Sequence, residues 1–121
     1  MPDSIPDDIQ IVFVPSSPKN IRERGFDHMK LVASQLAKQR QLAISPVIER
    51  LSNQAQHSAS RAKRLKQARL TFGLNNTSVP EQVLLIDDIY TTGATVQTIA
   101  ELLRQAGTKT IWLAIVARQR H

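Results

Sequence analysis

The sequence predicts an α/β domain built as a doubly wound, mainly parallel sheet. Val83-Leu84-Leu85-Ile86 and residues 111–117 are continuous apolar runs, as expected for strands covered on both faces. Between them, Val96, Ile99, Ala100, Leu103 and Ala106 recur at i, i+3, i+4, i+7 and i+10, an amphipathic helical pattern. A further apolar run, Ile11-Val12-Phe13-Val14, is followed by a helical pattern of its own, so strands and helices alternate.

The elements follow in order. Residues 1–10 are polar, carry two prolines and read as a flexible lead-in to a single domain over 11–121. The first strand is halted by Pro15 and by Ser16-Ser17-Pro18, which feed a loop. After Gly25, the residues Phe26, Met29, Val32/Ala33, Leu36 and Ala37 share one helical face, with Lys30, Gln35 and Lys38 away from it. Val47-Ile48 reads as a short strand, and residues 52–60 as a polar loop without periodicity. Residues 61–70 form a predicted helix with Ala62, Leu65 and Ala68/Arg69 roughly in register. Gly107 suits the position just past the end of the helix that begins after the third strand.

Composition narrows the chemistry. At 121 residues and 41% hydrophobic content the chain can bury a core without staples. It contains no cysteine, which excludes disulfides, Cys-ligated zinc and thiol nucleophiles. The N-terminus lacks a basic n-region and an apolar h-region. The longest apolar run, residues 111–117, is far short of the roughly 20 residues that span a bilayer. The expectation is a soluble, cytoplasmic protein without a membrane span. Net charge is +6, and it is unevenly spread: residues 19–69 hold twelve basic and three acidic side chains, the remainder four and seven. That asymmetry fits a polyanionic partner, phosphate ligand or nucleic acid, and equally a solvated basic surface.

The chemistry concentrates in residues 83–95. In open α/β sheets, ligands bind beyond the carboxyl ends of the strands, where Asp87 and Asp88 fall. Adjacent carboxylates repel each other unless a cation or hydroxyl donors satisfy them. A ribose 2′,3′-diol, with or without Mg²⁺, supplies both. The turn that follows brings backbone N–H groups to a helix N-terminus, with Thr91, Thr92 and Thr95 as hydroxyl donors. Gly93 would allow close approach; a side chain there would take the ligand's space, and a β-branched one would also resist any positive φ the turn requires. Diol-binding acids directly before a phosphate cradle match the spacing of a ribose 5-phosphate. His28, His57 and His121 lack metal-ligand spacing, and Trp112 reads as core. There is no Walker A, Gly-x-Ser-x-Gly or Gly-x-Gly-x-x-Gly sequence. A response-regulator receiver also has paired acids after a strand, but only 33 residues follow Asp88 here, too few for the rest of its sheet.

The segment from Leu85 to Thr95, Leu-Ile-Asp-Asp-Ile-Tyr-Thr-Thr-Gly-Ala-Thr, resembles the phosphoribosyl pyrophosphate (PRPP) motif of type I phosphoribosyltransferases. Val14-Pro15, Arg22-Glu23-Arg24-Gly25-Phe26, Gln56 with Arg61, and Phe72 resemble the ComF-type branch associated with competence and DNA uptake. The likeness runs from about residue 12 to residue 117. It implies that Asp87 and Asp88 are catalytic, bind the ribose hydroxyls and contact Mg²⁺ weakly or indirectly. It also implies that Thr91, Thr92, Gly93, Ala94 and Thr95 hold the 5′-phosphate. The loop after the first strand, residues 15–24, would face pyrophosphate, with Lys19, Arg22 and Arg24 as cationic contacts. Three positions depart from the branch. Its N-terminal cysteine zinc module has no counterpart here, Asp27-His28 stands where Asn-Gln is usual, and Phe13 stands where proline is frequent. The implied activity is phosphoribosyl transfer to an acceptor the sequence does not name. The alternative is a protein that handles single-stranded DNA, using the fold as a binding module and Arg61, Lys63, Arg64, Lys66 and Arg69 as phosphate contacts.

Overall fold

The computed structural model describes residues 8–51, 62, 63, 66, 69, 71–75, 78–88 and 93–116. Strand β1 (Gln10–Phe13) pairs in parallel with β2 (Ala43–Ile44) on one side and with β5 (Gln82–Asp88) on the other. Strand β6 (Thr110–Val116) pairs in parallel with the far side of β5, giving the order β2-β1-β5-β6. Helix α1 (Pro18–Arg24) and helix α2 (His28–Arg40) lie between β1 and β2 in the chain, and α3 (Gly93–Ala106) lies between β5 and β6. A second, antiparallel pair is formed by β3 (Ile48–Arg50) and β4 (Phe72–Leu74).

Alternation along the strands sorts the core into two layers. Ile11, Leu84 and Ile86 face α2 and pack with its Met29 and Ala33. Val12, Val14, Val83 and Leu85 face the other way and pack with Ile99 and Leu103 of α3 and with Val47, Ile48 and Phe72 around the small sheet. The central strands β1 and β5 are thus covered on both faces, as a doubly wound fold requires. Ile9 is also buried, in the α2-side layer, and Gln10 already belongs to β1. Among the described residues no helix is long and apolar enough to cross a membrane.

Helix boundaries follow local chemistry. Asp27 caps α2: its carboxylate accepts from the amides of Met29 at 3.0 Å and Lys30 at 3.2 Å. Helix α3 closes with Gly107 at φ 126°; the Thr108 amide donates to the Leu103 carbonyl and the Gly107 amide to that of Arg104. That is a Schellman motif, and it puts Gly107 in the role its spacing predicts.

Several expectations need correction. The stretch expected to be a loop through Arg24 contains α1, because Pro18 occupies the first helical position, where its missing N–H costs nothing. Gly25, at φ 82°, ends that helix. Phe26 does not belong to the buried face of α2; it lies before the Asp27 cap and is 46% exposed. Residues 111–116 do not form a strand covered on both faces. β6 is the sheet edge among the described strands, and Leu113 and Ile115 are about half exposed, at 50% and 49%. Ala62 and Arg69, expected in the apolar register of the basic helix, are both exposed. Trp112 is half-buried against the α2-side core, as expected.

Candidate functional site

The chain's crossovers leave β1 and β5 in opposite directions. From β1 the chain passes through α1 and α2 to β2 on one side, and from β5 through α3 to β6 on the other. The boundary between β1 and β5 is therefore a topological switch point, where carboxyl-end loops diverge and leave a crevice. Two sets of residues meet at this edge. One is the end of β5 with the start of α3, and the other is the segment after β1. The Val14 amide donates to the Ile86 carbonyl at 3.1 Å, which carries the β1–β5 pairing one residue past β1 and holds the two sets side by side.

Asp87 and Asp88 are the last residues of β5, in register with Ile115 and Val116 of β6. Both are buried, Asp87 at 1% exposure and Asp88 at 8%. Successive strand side chains point to opposite faces, so Asp87 lies on the α3 face and Asp88 on the α2 face. The Asp88 amide donates to Asp87 Oδ1 at 2.7 Å, which fixes one carboxylate against its own backbone. Two negative groups are thereby concentrated at the end of the central strand pair, in a layer otherwise made of Val, Leu and Ile.

Thr91 and Thr92 lie outside the described residues, as do Arg61 and Arg64. Gly93, Ala94 and Thr95 form the first turn of α3, with Gly93 exposed, Ala94 half-buried and Thr95 buried. No acidic residue occupies that turn, so nothing there opposes an anion at the positive end of the helix dipole. The Gly93 backbone is not at positive φ, and a Cβ built on it meets nothing within 4 Å among the described residues.

The proposed cationic residues divide. Lys19, Arg22 and Arg24 all sit on α1, which starts where the β1 segment leaves the crevice, and all three are exposed. Lys63, Lys66 and Arg69 have helical backbone and exposed side chains. Arg69 pairs with Glu101 of α3 at 3.7 Å, so part of that charge is answered within the fold.

Two side chains join this edge that no sequence pattern assigned to it. Arg50, the last residue of β3, donates from Nη2 to the Pro15 carbonyl at 3.0 Å and lies 4.7 Å from the centroid of the Phe72 ring. Burial pushes its pKa down from the ordinary arginine value, and the nearby Asp27 carboxylate pulls it back up. Asp27 Oδ2 accepts from the Ser16 amide at 3.4 Å. An Asp directly ahead of a helical pattern is a recognisable cap signal. Arg50 has no such local signal, because its partner is 35 residues away.

Residues 21–121 match the family described as phosphoribosyl transferase domain. The chain is 33% identical over 102 residues to competence protein ComFC of Streptococcus pneumoniae, an alignment covering 84% of this chain and 44% of that protein. It is 34% identical over 97 residues to competence protein ComFC of Bacillus subtilis, covering 80% and 39%. It therefore spans less than half the length of these curated relatives. Among solved structures, the allosteric regulatory enzyme of purine biosynthesis superposes with a TM-score of 0.61 over 93% of this chain and 22% of that one. At 19% identity this is a likeness of fold.

Proposed function

This chain belongs to the phosphoribosyl transferase domain family, and on that premise we propose that it binds PRPP at the switch point between β1 and β5. The observation that carries the proposal is the Asp87–Asp88 strand end, followed five residues after Asp88 by Gly93 and the first turn of α3. In this reading the two carboxylates accept from the ribose hydroxyls and residues 91–95 hold the 5′-phosphate. The segment from Pro15 through α1 faces pyrophosphate, with Lys19, Arg22 and Arg24 as its cations.

The two adjacent carboxylates at the end of β5 suit a weakly or indirectly held Mg²⁺, which is commonly bound by one or two carboxylates together with substrate phosphates. Asp87 and Asp88 would hold the ion weakly or indirectly, and it would supply positive charge that stabilises departing pyrophosphate. If transfer takes place, a nucleophile bonds to C1′ as the bond to pyrophosphate breaks, and pyrophosphate leaves with the electron pair. The protein's own cations stabilise the charge that develops on that leaving group.

The relatives' name and the exposed Lys63 and Lys66 favour a second reading, in which a cytoplasmic protein of competence holds single-stranded DNA during uptake. Incubating protein, PRPP and Mg²⁺ with a panel of bases separates the two. Pyrophosphate released only with a particular base identifies a transferase. PRPP binding without any release, joined to DNA binding, identifies a binding module.

A further inference from the structure

The carbonyl of Pro15 and the amide N–H of Ser16 belong to one peptide group, and that group is gripped at both ends. Arg50 Nη2 holds the carbonyl at 3.0 Å, and Asp27 Oδ2 takes the N–H at 3.4 Å. The two gripping groups come from different parts of the fold, the end of β3 and the cap of α2. They carry opposite charge, and their attraction acts across the peptide they hold. Each is itself anchored. The Arg50 guanidinium rests on the Phe72 ring, and Phe72 is buried in the α3-side core. Asp27 Oδ1 is fixed by the Met29 and Lys30 amides. One peptide at the mouth of the crevice is therefore tied to both layers of the molecule, while its neighbour Val14 is hydrogen-bonded to β5.

We infer that Arg50 and Asp27 are positioning residues that set the orientation of the Pro15–Ser16 peptide, and through it the loop that faces the pyrophosphate of the ligand. The inference rests on the PRPP reading of the crevice. Arg50 donates to a backbone carbonyl instead of to the ligand, so its effect reaches the ligand only through the loop. A planar guanidinium suits this role: it stacks on an aromatic face while donating in its own plane, a combination an ammonium group does not reproduce.

The test is calorimetric titration of the full chain with inorganic pyrophosphate and, separately, with ribose 5-phosphate, both with Mg²⁺. The variants are Arg50→Met, Arg50→Lys and Asp27→Asn. Arg50→Met is expected to weaken pyrophosphate about tenfold or more while ribose 5-phosphate stays within about twofold, because only one side of the crevice loses its alignment. Arg50→Lys restores the charge and part of the pyrophosphate affinity. Asp27→Asn leaves one oxygen to cap α2 but removes the second acceptor, so it weakens pyrophosphate by a smaller factor without unfolding the helix. Equal loss of both ligands in Arg50→Met, or no loss of pyrophosphate, overturns the positioning role. If Arg50→Met does not fold, Asp27→Asn decides, and unchanged pyrophosphate affinity there overturns it. A parent protein that binds ribose 5-phosphate but not pyrophosphate overturns this inference and leaves the ribose-phosphate site standing. A parent that binds neither overturns both.

Discussion

Replacing Asp87 and Asp88 together by asparagine isolates charge from shape. Asparagine has nearly the same volume, and its Oδ1 can still accept the Asp88-position amide that Asp87 Oδ1 now holds at 2.7 Å. Both side chains are buried at the end of the central strand, so the melting curve of the unliganded variant is read first, to establish that it folds. Ligand binding should suffer. Hydrogen bonds to charged groups contribute about 1.5–3 kcal/mol and neutral ones about 0.5–1.5, so neutralising the acceptors of the ribose diol should cost about 1–3 kcal/mol in all. That is a rise in Kd of about 5- to 150-fold. At a PRPP concentration near 100 times the parent's Kd, the parent gains about 2.7 kcal/mol of stability and the double variant only about 0.3–1.8. Calorimetry with PRPP and Mg²⁺, alongside thermal unfolding with and without ligand, reads both quantities. Unchanged PRPP affinity in a folded double variant would falsify the assignment of these carboxylates.

Three further outcomes can be checked. Gly93→Val should keep the parent's melting temperature without ligand, since the backbone there is open to any residue, yet lose the stabilisation by PRPP; equal stabilisation in parent and variant would mean the phosphate is held elsewhere. Binding of single-stranded DNA should weaken with salt at a log–log slope of roughly −0.7 per phosphate contact, and Arg61→Ala with Arg64→Ala should flatten it; a salt-independent parent would count against the DNA reading. Thr98→Val should raise stability by about 1 kcal/mol in urea unfolding, because the buried Thr98 hydroxyl has no hydrogen-bond partner among the described residues; a loss of stability would show that the hydroxyl is satisfied.

The parts of the fold legible in the sequence are those with long, uniform signals. Four consecutive apolar residues before Asp87 mark β5, and the repeat from Val96 to Ala106 with Gly107 marks α3. Short strands leave no period to read. β2 has two residues and β4 three, and each exists only because a partner strand fixes its backbone. Phe26 illustrates a different failure. It continues the helical spacing of Met29 and Ala33, but an aspartate at position 27 ends the periodic segment by capping it, and local cap chemistry overrides the pattern. For β6, hydropathy alone could not distinguish a strand covered on both faces from an edge strand with Leu113 and Ile115 open on one side. Which of the two holds depends on strand order, a property of the whole sheet.

The site divides along the same line. Its β5 half is contiguous in sequence, so a strand end, two acids and a glycine-threonine turn could be read together. Its β1 half is assembled from three distant pieces, Pro15-Ser16, Asp27 and Arg50, which tertiary structure alone brings together. Gly93 links the two kinds of reading. Its backbone angle needs no glycine, and the described fold leaves room for a side chain there. Among the described residues nothing therefore requires a glycine at this position. Under the proposed reading, close approach by a ligand to the first turn of α3 would, since a side chain there would stand between the helix amides and an incoming phosphate. The strand order argues for the same place without reference to any motif, because the crossovers diverge between β1 and β5 whatever residues occupy the turn.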